Sequence, residues 1–285
     1  MSRYEQPWPD DLVGDLTQPQ LWVIRQSPGH LSDNQPLFGA LAVVLIDFSR
    51  LADDRATFAL LDHAWAGASA TRSAWSPDFL EGMRLRDGDA CRLLGVVLHA
   101  PAQTSATAVQ EAVRAVHAAQ PGLSLLVSDE PIATLPPGMT GVVRSAFGHS
   151  AVDALALVRM LVSLASPNEW ACLDVEDVLE VCVPVDTSSQ MPLRLMTGAW
   201  LADAGQLMLP GRFDAEVLSR AEAVWLHVDA LCLKGDVLRQ ILQALRAHCD
   251  ADMTLVFNAP FRHALASAWG GRATSLVLLV REAES

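Results

Sequence analysis

Hydrophobic residues along this chain fall into two rhythms. Leu41 to Ile46 (LAVVLI) is an unbroken apolar run with β-branched members, the pattern of a strand buried on both faces in a parallel sheet. Leu93–Leu98 (LLGVVL), Leu123–Val127, Val224–Val228 (VWLHV), Met253–Phe257 and Leu276–Val280 repeat that pattern. Leu21–Ile24 is a shorter one in an otherwise polar segment, and Leu193–Met196 and Gln206–Leu209 are weaker candidates. Between them the period changes to that of a helix. Val109, Ala112, Val113 and Val116 lie on one face of Thr104–Gln120, which Pro121-Gly122 stops. Val237, Leu238, Ile241, Leu242 and Leu245 do the same in Val237–His248. Helices are also predicted over Thr57–Trp65, Asp174–Val183 and Phe213–Ala221, and a long one over Gly141–Ala165, ended by Pro167. Residues 66–90, rich in Ala, Ser, Gly and Asp, read as a loop.

Strand, helix and strand in succession imply parallel pairing, with the helix as crossover. The fold class is therefore α/β, with a Rossmann-like parallel-sheet N-terminal domain over 1–140. A central helix over 141–167 leads to a smaller α/β domain over 168–285.

Composition narrows the function classes. Acids outnumber bases by 33 to 20 in 285 residues, a formal charge of -13. A surface of that sign neither displaces counterions from nucleic acid nor docks on anionic lipid. With 51% hydrophobic and 19% charged residues the chain can bury a large core. No apolar run reaches the roughly 18 residues of a membrane span. The start, Met1-Ser2-Arg3-Tyr4-Glu5, has neither the basic nor the apolar region of a signal peptide. Five cysteines, Cys91, Cys172, Cys182, Cys232 and Cys249, include no C-x-x-C pair. They predict reduced thiols, a cytoplasmic location and no structural metal.

Several chemistries lack their motifs. No G-x-G is present for a dinucleotide or kinase loop, and the single lysine, Lys234, follows no glycine loop. There is no G-x-S-x-G elbow, and the eight histidines form no H-x-x-x-H. His99, His149 and His227, in or beside predicted elements, read as structural histidines. One carboxylate pair remains, in Cys172-Leu173-Asp174-Val175-Glu176-Asp177-Val178. Asp174 and Asp177 open a helix. Either they cap it and complement its dipole, or they orient water or a cation toward a phosphate on another molecule.

The order of these elements, with D-x-x-D following a long helix, resembles the tubulin/FtsZ superfamily. Cys172–Val178 is similar to the N-x-D-x-x-D-V loop of FtsZ, with Cys172 in place of Asn. Ser145-Ala146-Phe147-Gly148-His149-Ser150-Ala151-Val152-Asp153 is similar to that family's D-A-F-x-x-A-N-D stretch. Leu94–Pro101 resembles the strand entering its ribose loop, and the likeness covers about residues 91–281. The resemblance implies that Asp153 would read a guanine edge, and that Asp174 and Asp177 would act on a partner's nucleotide.

The departures lie where the family holds GTP. After Leu41–Ile46 comes Asp47-Phe48-Ser49-Arg50-Leu51-Ala52-Asp53-Asp54, with three carboxylates and no glycine. Glycines there would let backbone N–H groups approach phosphates, whereas carboxylates repel them. The expectation is an FtsZ-like protein that has lost GTP hydrolysis and needs no cofactor. It would act by contact with an FtsZ-like or other protein, or with itself, as a regulator or scaffold in division or membrane remodelling. A GTP-binding protein with a rebuilt pocket, and an α/β domain of no family, are the alternatives.

Overall fold

The computed structural model describes residues 19–26, 40–49, 68–83, 91–130, 132, 135–145, 150–164, 173, 175–183, 193–201, 204–208, 212–229, 233–259 and 273–283. Its frame is one eleven-stranded sheet. The strands are β1 (Gln20–Gln26), β2 (Ala40–Asp47), β3 (Ala68–Ala74), β4 (Cys91–Ala100), β5 (Leu123–Ser128) and β6 (Gly141–Arg144). The remaining strands are β7 (Leu193–Leu201), β8 (Gln206–Met208), β9 (Ala221–Asp229), β10 (Thr254–Asn258) and β11 (Ala273–Glu282). They lie in the order β10-β9-β11-β7-β6-β5-β4-β2-β1-β3, with β8 paired to β7. From β2 through β4, β5 and β6 to β7 every pairing is parallel. β1 pairs antiparallel with β2 and β3, and β11 with β7 and β9. The carboxyl ends of β2, β4, β5 and β6 consequently share one edge of the sheet.

Six helices are described: α1 (Pro77–Gly82), α2 (Ala106–Ala119), α3 (Ser150–Leu164), α4 (Val175–Cys182), α5 (Arg212–Ser219) and α6 (Gly235–Arg246). The alternation of side chains along the strands sorts them. Trp22, Ile24, Val43, Leu45 and Val97 share a face and one core with Leu157, Leu161, Val178 and Val181 of α3 and α4. That core continues to Trp225 and Leu279, nearly the width of the sheet. The other face is divided. Val44, Ile46, Val96 and Leu98 pack on α2, while Leu226, Leu278 and Val280 pack on α5 and α6. Each fully buried aliphatic side chain contributes about 1.5–3 kcal/mol, so the α3 side is the continuous support.

Two features of the sequence reading are corrected. The helix expected over Gly141–Ala165 is two elements: Gly141–Arg144 is β6, and the helix is Ser150–Leu164. Val142 and Val143 are β-branched, and Gly141 fits against Leu125 and Leu193, where a Cβ would lie 2.7 Å from Leu193 Cδ1. The loop expected over residues 66–90 contains β3 and α1. β3 is an edge strand with little apolar content, held by its ladder to β1, so no hydrophobic alternation announced it. The strands on either side of α3 belong to one sheet, meeting where β6 pairs with β7. The helix expected over Thr57–Trp65 lies outside the described residues.

Candidate functional site

Asp47 is the last residue of β2, and His99 the next-to-last of β4. The parallel register places them side by side, on the face covered by α3. Both are fully buried, and Ser150, the first residue of α3, is 3% exposed. His99 Nδ1 lies 2.8 Å from Asp47 Oδ1, and His99 Nε2 lies 2.9 Å from Ser150 Oγ. Ser150 Oγ in turn is 2.8 Å from Oδ2 of Asp129, just beyond β5. Four side chains from three strand ends and a helix start thus form one hydrogen-bonded line.

Donor bookkeeping orients the line. Asp47 Oδ1 accepts the Ser49 backbone N–H at 2.9 Å and the Ser49 hydroxyl at 2.7 Å. The remaining close neighbour of Oδ1, His99 Nδ1, must bring its own hydrogen, since an ionised carboxylate only accepts. Nδ1–H therefore donates to Asp47, and Nε2 faces Ser150. The Ser150 hydroxyl donates its one proton to Asp129 Oδ2. The Ala102 backbone N–H also points at Asp129 Oδ2, at 3.5 Å. Asp47 Oδ2 and Asp129 Oδ1 are buried and find no hydrogen-bond partner among the described residues.

The residues singled out by sequence lie elsewhere. Asp153 sits in the first turn of α3 and accepts a hydrogen bond from Ser145 Oγ. Asp177 is half-buried in the first turn of α4. Asp174 and His149 lie outside the described residues. Asp153 and Asp177 are not brought together. α3 carries the chain about 22 Å along its axis, at 1.5 Å per residue, and a Cβ at Gly122 would lie 3.2 Å from Val175 Cγ1 and 2.8 Å from the Leu94 carbonyl. The start of α4 is therefore at the amino ends of β4 and β5, opposite Asp129.

His227 is the second buried histidine. Its Nδ1 lies 3.3 Å from Asn258 Oδ1, which also accepts from Trp225 Nε1 at 3.1 Å. Asn258 Nδ2 donates to Ser163 Oγ at 2.5 Å. This cluster ties the last turn of α3 to β9 and β10, the structural role expected of His227. His99 is likewise fully bonded. What sequence reasoning missed was its company: Asp47, Asp129 and Ser150. A signal existed, because LAVVLI ends in Asp47 and LLGVVL ends in His99, each a polar residue closing an apolar strand.

Among the described residues no group of three or more His, Cys, Asp or Glu is placed to hold a metal ion, and no helix is long and apolar enough to cross a membrane. Burial pushes the Cys182 thiol up to about 12, with Arg281 opposing, and the half-buried Cys249 thiol up to about 11.

No family model matches the chain, and no curated protein matches it in sequence. Solved structures do. A mutant FtsZ from M. jannaschii matches at 12% identity and a TM-score of 0.40, over 66% of this chain and 55% of that one. TubZ of Bacillus thuringiensis serovar israelensis, in a GDP-form protofilament, matches at 11% identity and 0.43, over 73% and 65%. CetZ from Methanosaeta thermophila matches at 12% identity and 0.35, over 73% and 57%. The matches thus span 55% to 65% of the length of these structures. The solved structures that this chain is similar to are thus FtsZ, TubZ and CetZ.

Proposed function

We infer that this chain is a tubulin-like protein that does not hydrolyse GTP and acts by protein–protein contact, as a regulator or scaffold in bacterial cell division or membrane remodelling. The observation that carries this reading is the Asp47–His99–Ser150–Asp129 line. In open α/β sheets ligands bind beyond the carboxyl ends of the strands, and here those ends are closed by side chains bonded to one another. A phosphate oxygen brought within about 4 Å of an ionised Asp129 meets about 4 kcal/mol of repulsion at an effective dielectric of about 20. A triphosphate would pay that more than once. Asp153 accepts a hydrogen bond from Ser145 within the chain.

The opposite edge of the sheet carries the contact. Asp177, in the first turn of α4, and Asp174, three residues before it in the sequence, would act on a partner's nucleotide, and a chain with one such edge engages a filament from one side only. The partner is an FtsZ-like protein or a second copy of this chain.

Titration calorimetry with GTP and magnesium, run beside a phosphate-release assay, tests the first half. The expected result is no saturable heat and no turnover; robust turnover lost in Asp174→Ala would overturn it. Co-sedimentation with an FtsZ filament from the same cell tests the second half. A change in polymer mass that disappears in Asp177→Ala is expected. No change at excess protein removes the regulator reading and leaves the fold untouched.

A further inference from the structure

An open sheet has two edge strands, and here the two are unlike. β3 stands at one side and β10 at the other, each with a strand on one flank only among the described residues. β3 reads ASATRSA, short side chains with an exposed Arg72, the kind of charge that blunts an edge. β10 reads TLVFN, with no charge, no proline and no glycine. Its register to β9 is unbroken, so no bulge turns the edge away. In a parallel ladder alternate residues bond to the neighbour. β10 therefore gives half of its N–H and C=O groups to β9 and directs the rest outward. Its side chains are also incompletely covered. Val256 packs at the rim of the core under α4, and Leu255 and Phe257 at the rim of the core under α5 and α6, all three partly buried. We propose that β10 is a docking edge, and that its occupant is an extended basic segment of a partner protein, added to the sheet as one more strand.

Charge selects the occupant. The turn leading into β10 exposes Asp250 and Asp252. α4, whose Val178 and Val181 share a core with Val256, exposes Glu176 and Glu180. Arg246, in the last turn of α6, offsets only part of that charge. Two other arginines at this end of the sheet are engaged. Arg220 pairs with Glu216 and Glu282, and Arg281 donates to the carbonyls at the end of α4. A second copy of this chain would bring a formal charge of -13 against the same charge, and like-sign fields slow and weaken association. The same field draws a basic segment in.

The chemistry of the segment follows from the strand. Its backbone supplies the hydrogen bonds, and its side chains alternate between the two faces of the sheet. On one face they meet Val256, and on the other Leu255 and Phe257, so β-branched residues suit its centre. Lys or Arg suits the end that lies beside Asp250 and Asp252. This edge is distinct from the contact assigned to Asp174 and Asp177, and neither depends on the other.

The probe is a fluorescent synthetic peptide of about ten residues, a full strand length, with alternating Val and Thr at its centre and Arg at both ends. Titrated with the full chain at low salt, it should give a saturable rise in anisotropy. On its addition, hydrogen–deuterium exchange should slow across residues 254–258 and stay unchanged across 68–74. The same peptide N-methylated along its centre keeps its charge but loses its donors, and should bind about tenfold or more weakly. Replacing its arginines with glutamates should weaken binding by about as much. Sedimentation of the chain alone should show no dimer that the peptide dissolves. The proposal is overturned by the absence of saturable binding, by protection at 68–74 in place of 254–258, or by equal binding of either altered peptide. A dimer that the peptide dissolves makes a second copy the occupant and overturns it too. Every arm uses the wild-type chain, so none depends on a variant that folds.

Discussion

A Cβ placed on Gly138 would stand 2.5 Å from the Cβ of His117. Gly138 also has φ of +91°, a region that L side chains rarely adopt. Its carbonyl accepts the Ser124 hydroxyl at 3.0 Å, and the Thr140 backbone N–H donates to Ser124 Oγ at 2.9 Å. The turn thereby fixes the start of β6 against β5 and α2 at once. Gly138→Ala should cost about 3 kcal/mol, combining backbone strain with overpacking. Urea unfolding measures it, and a loss under about 1 kcal/mol would show that the turn relaxes freely.

Arg281 on β11 is buried, and its Nη1 donates to the carbonyls of Glu180, Val181 and Val183 at 2.8, 3.1 and 2.7 Å. Glu180 and Val181 are in the last turn of α4 and Val183 follows it; carbonyls at a helix end lack intrahelical donors, and the charge complements the helix dipole. Arg281→Met should cost about 2–3 kcal/mol. Arg281→Lys should recover only part, since an ammonium is a differently shaped and more strongly hydrated donor than the planar guanidinium whose Nη1 reaches these carbonyls. Equal stability of the two variants would refute the capping role.

Cys182 supplies a pH dependence. Burial raises its thiol from the ordinary 9.0 to about 12. Between those values the folded chain keeps a proton that the unfolded chain has released, so stability present below about pH 9 is lost as pH rises toward 12. The same burial predicts that native protein at neutral pH leaves Cys182 unalkylated by iodoacetamide, while protein in urea reacts fully. Modification of Cys182 in native protein at the rate of a free thiol would contradict it.

The Asp47–His99 pair can be dissected by a cycle. Removing one member of a buried hydrogen-bonded pair leaves the other unsatisfied, at a cost of about 1–3 kcal/mol. His99→Leu alone should show a loss of that size. Asp47→Leu together with His99→Leu should lose much less than the sum of the single variants. Additive losses would mean that the two side chains do not depend on each other.

Most strands and helices were legible because their signal is local. LAVVLI and LLGVVL are buried on both faces and read as strands from apolar content alone. α2 and α6 read as helices from a single apolar stripe. The failures have a physical cause too. Gly141–Arg144 lies a few residues before a true helix and shares its apolar content. Only parallel pairing with Leu125–Ser128 selects the extended backbone. Ala68–Ala74 has no pattern of its own, and its partner β1 makes it a strand.

The candidate site divides the same way. From its sequence the chain determined that the segment after β2 would be acidic and without glycine, and that Asp177 would lie in the first turn of a helix. It could not announce that Asp47, His99, Asp129 and Ser150 meet. His99 is 52 residues from Asp47 and 51 from Ser150, and each is unremarkable where it stands. Tertiary structure decided their meeting, because parallel register sets Asp47 beside His99. The core between α3 and the sheet then brings Ser150 down onto the same edge. A side chain's chemistry is written in the sequence, whereas its neighbours are fixed by strand register and by which face a helix covers.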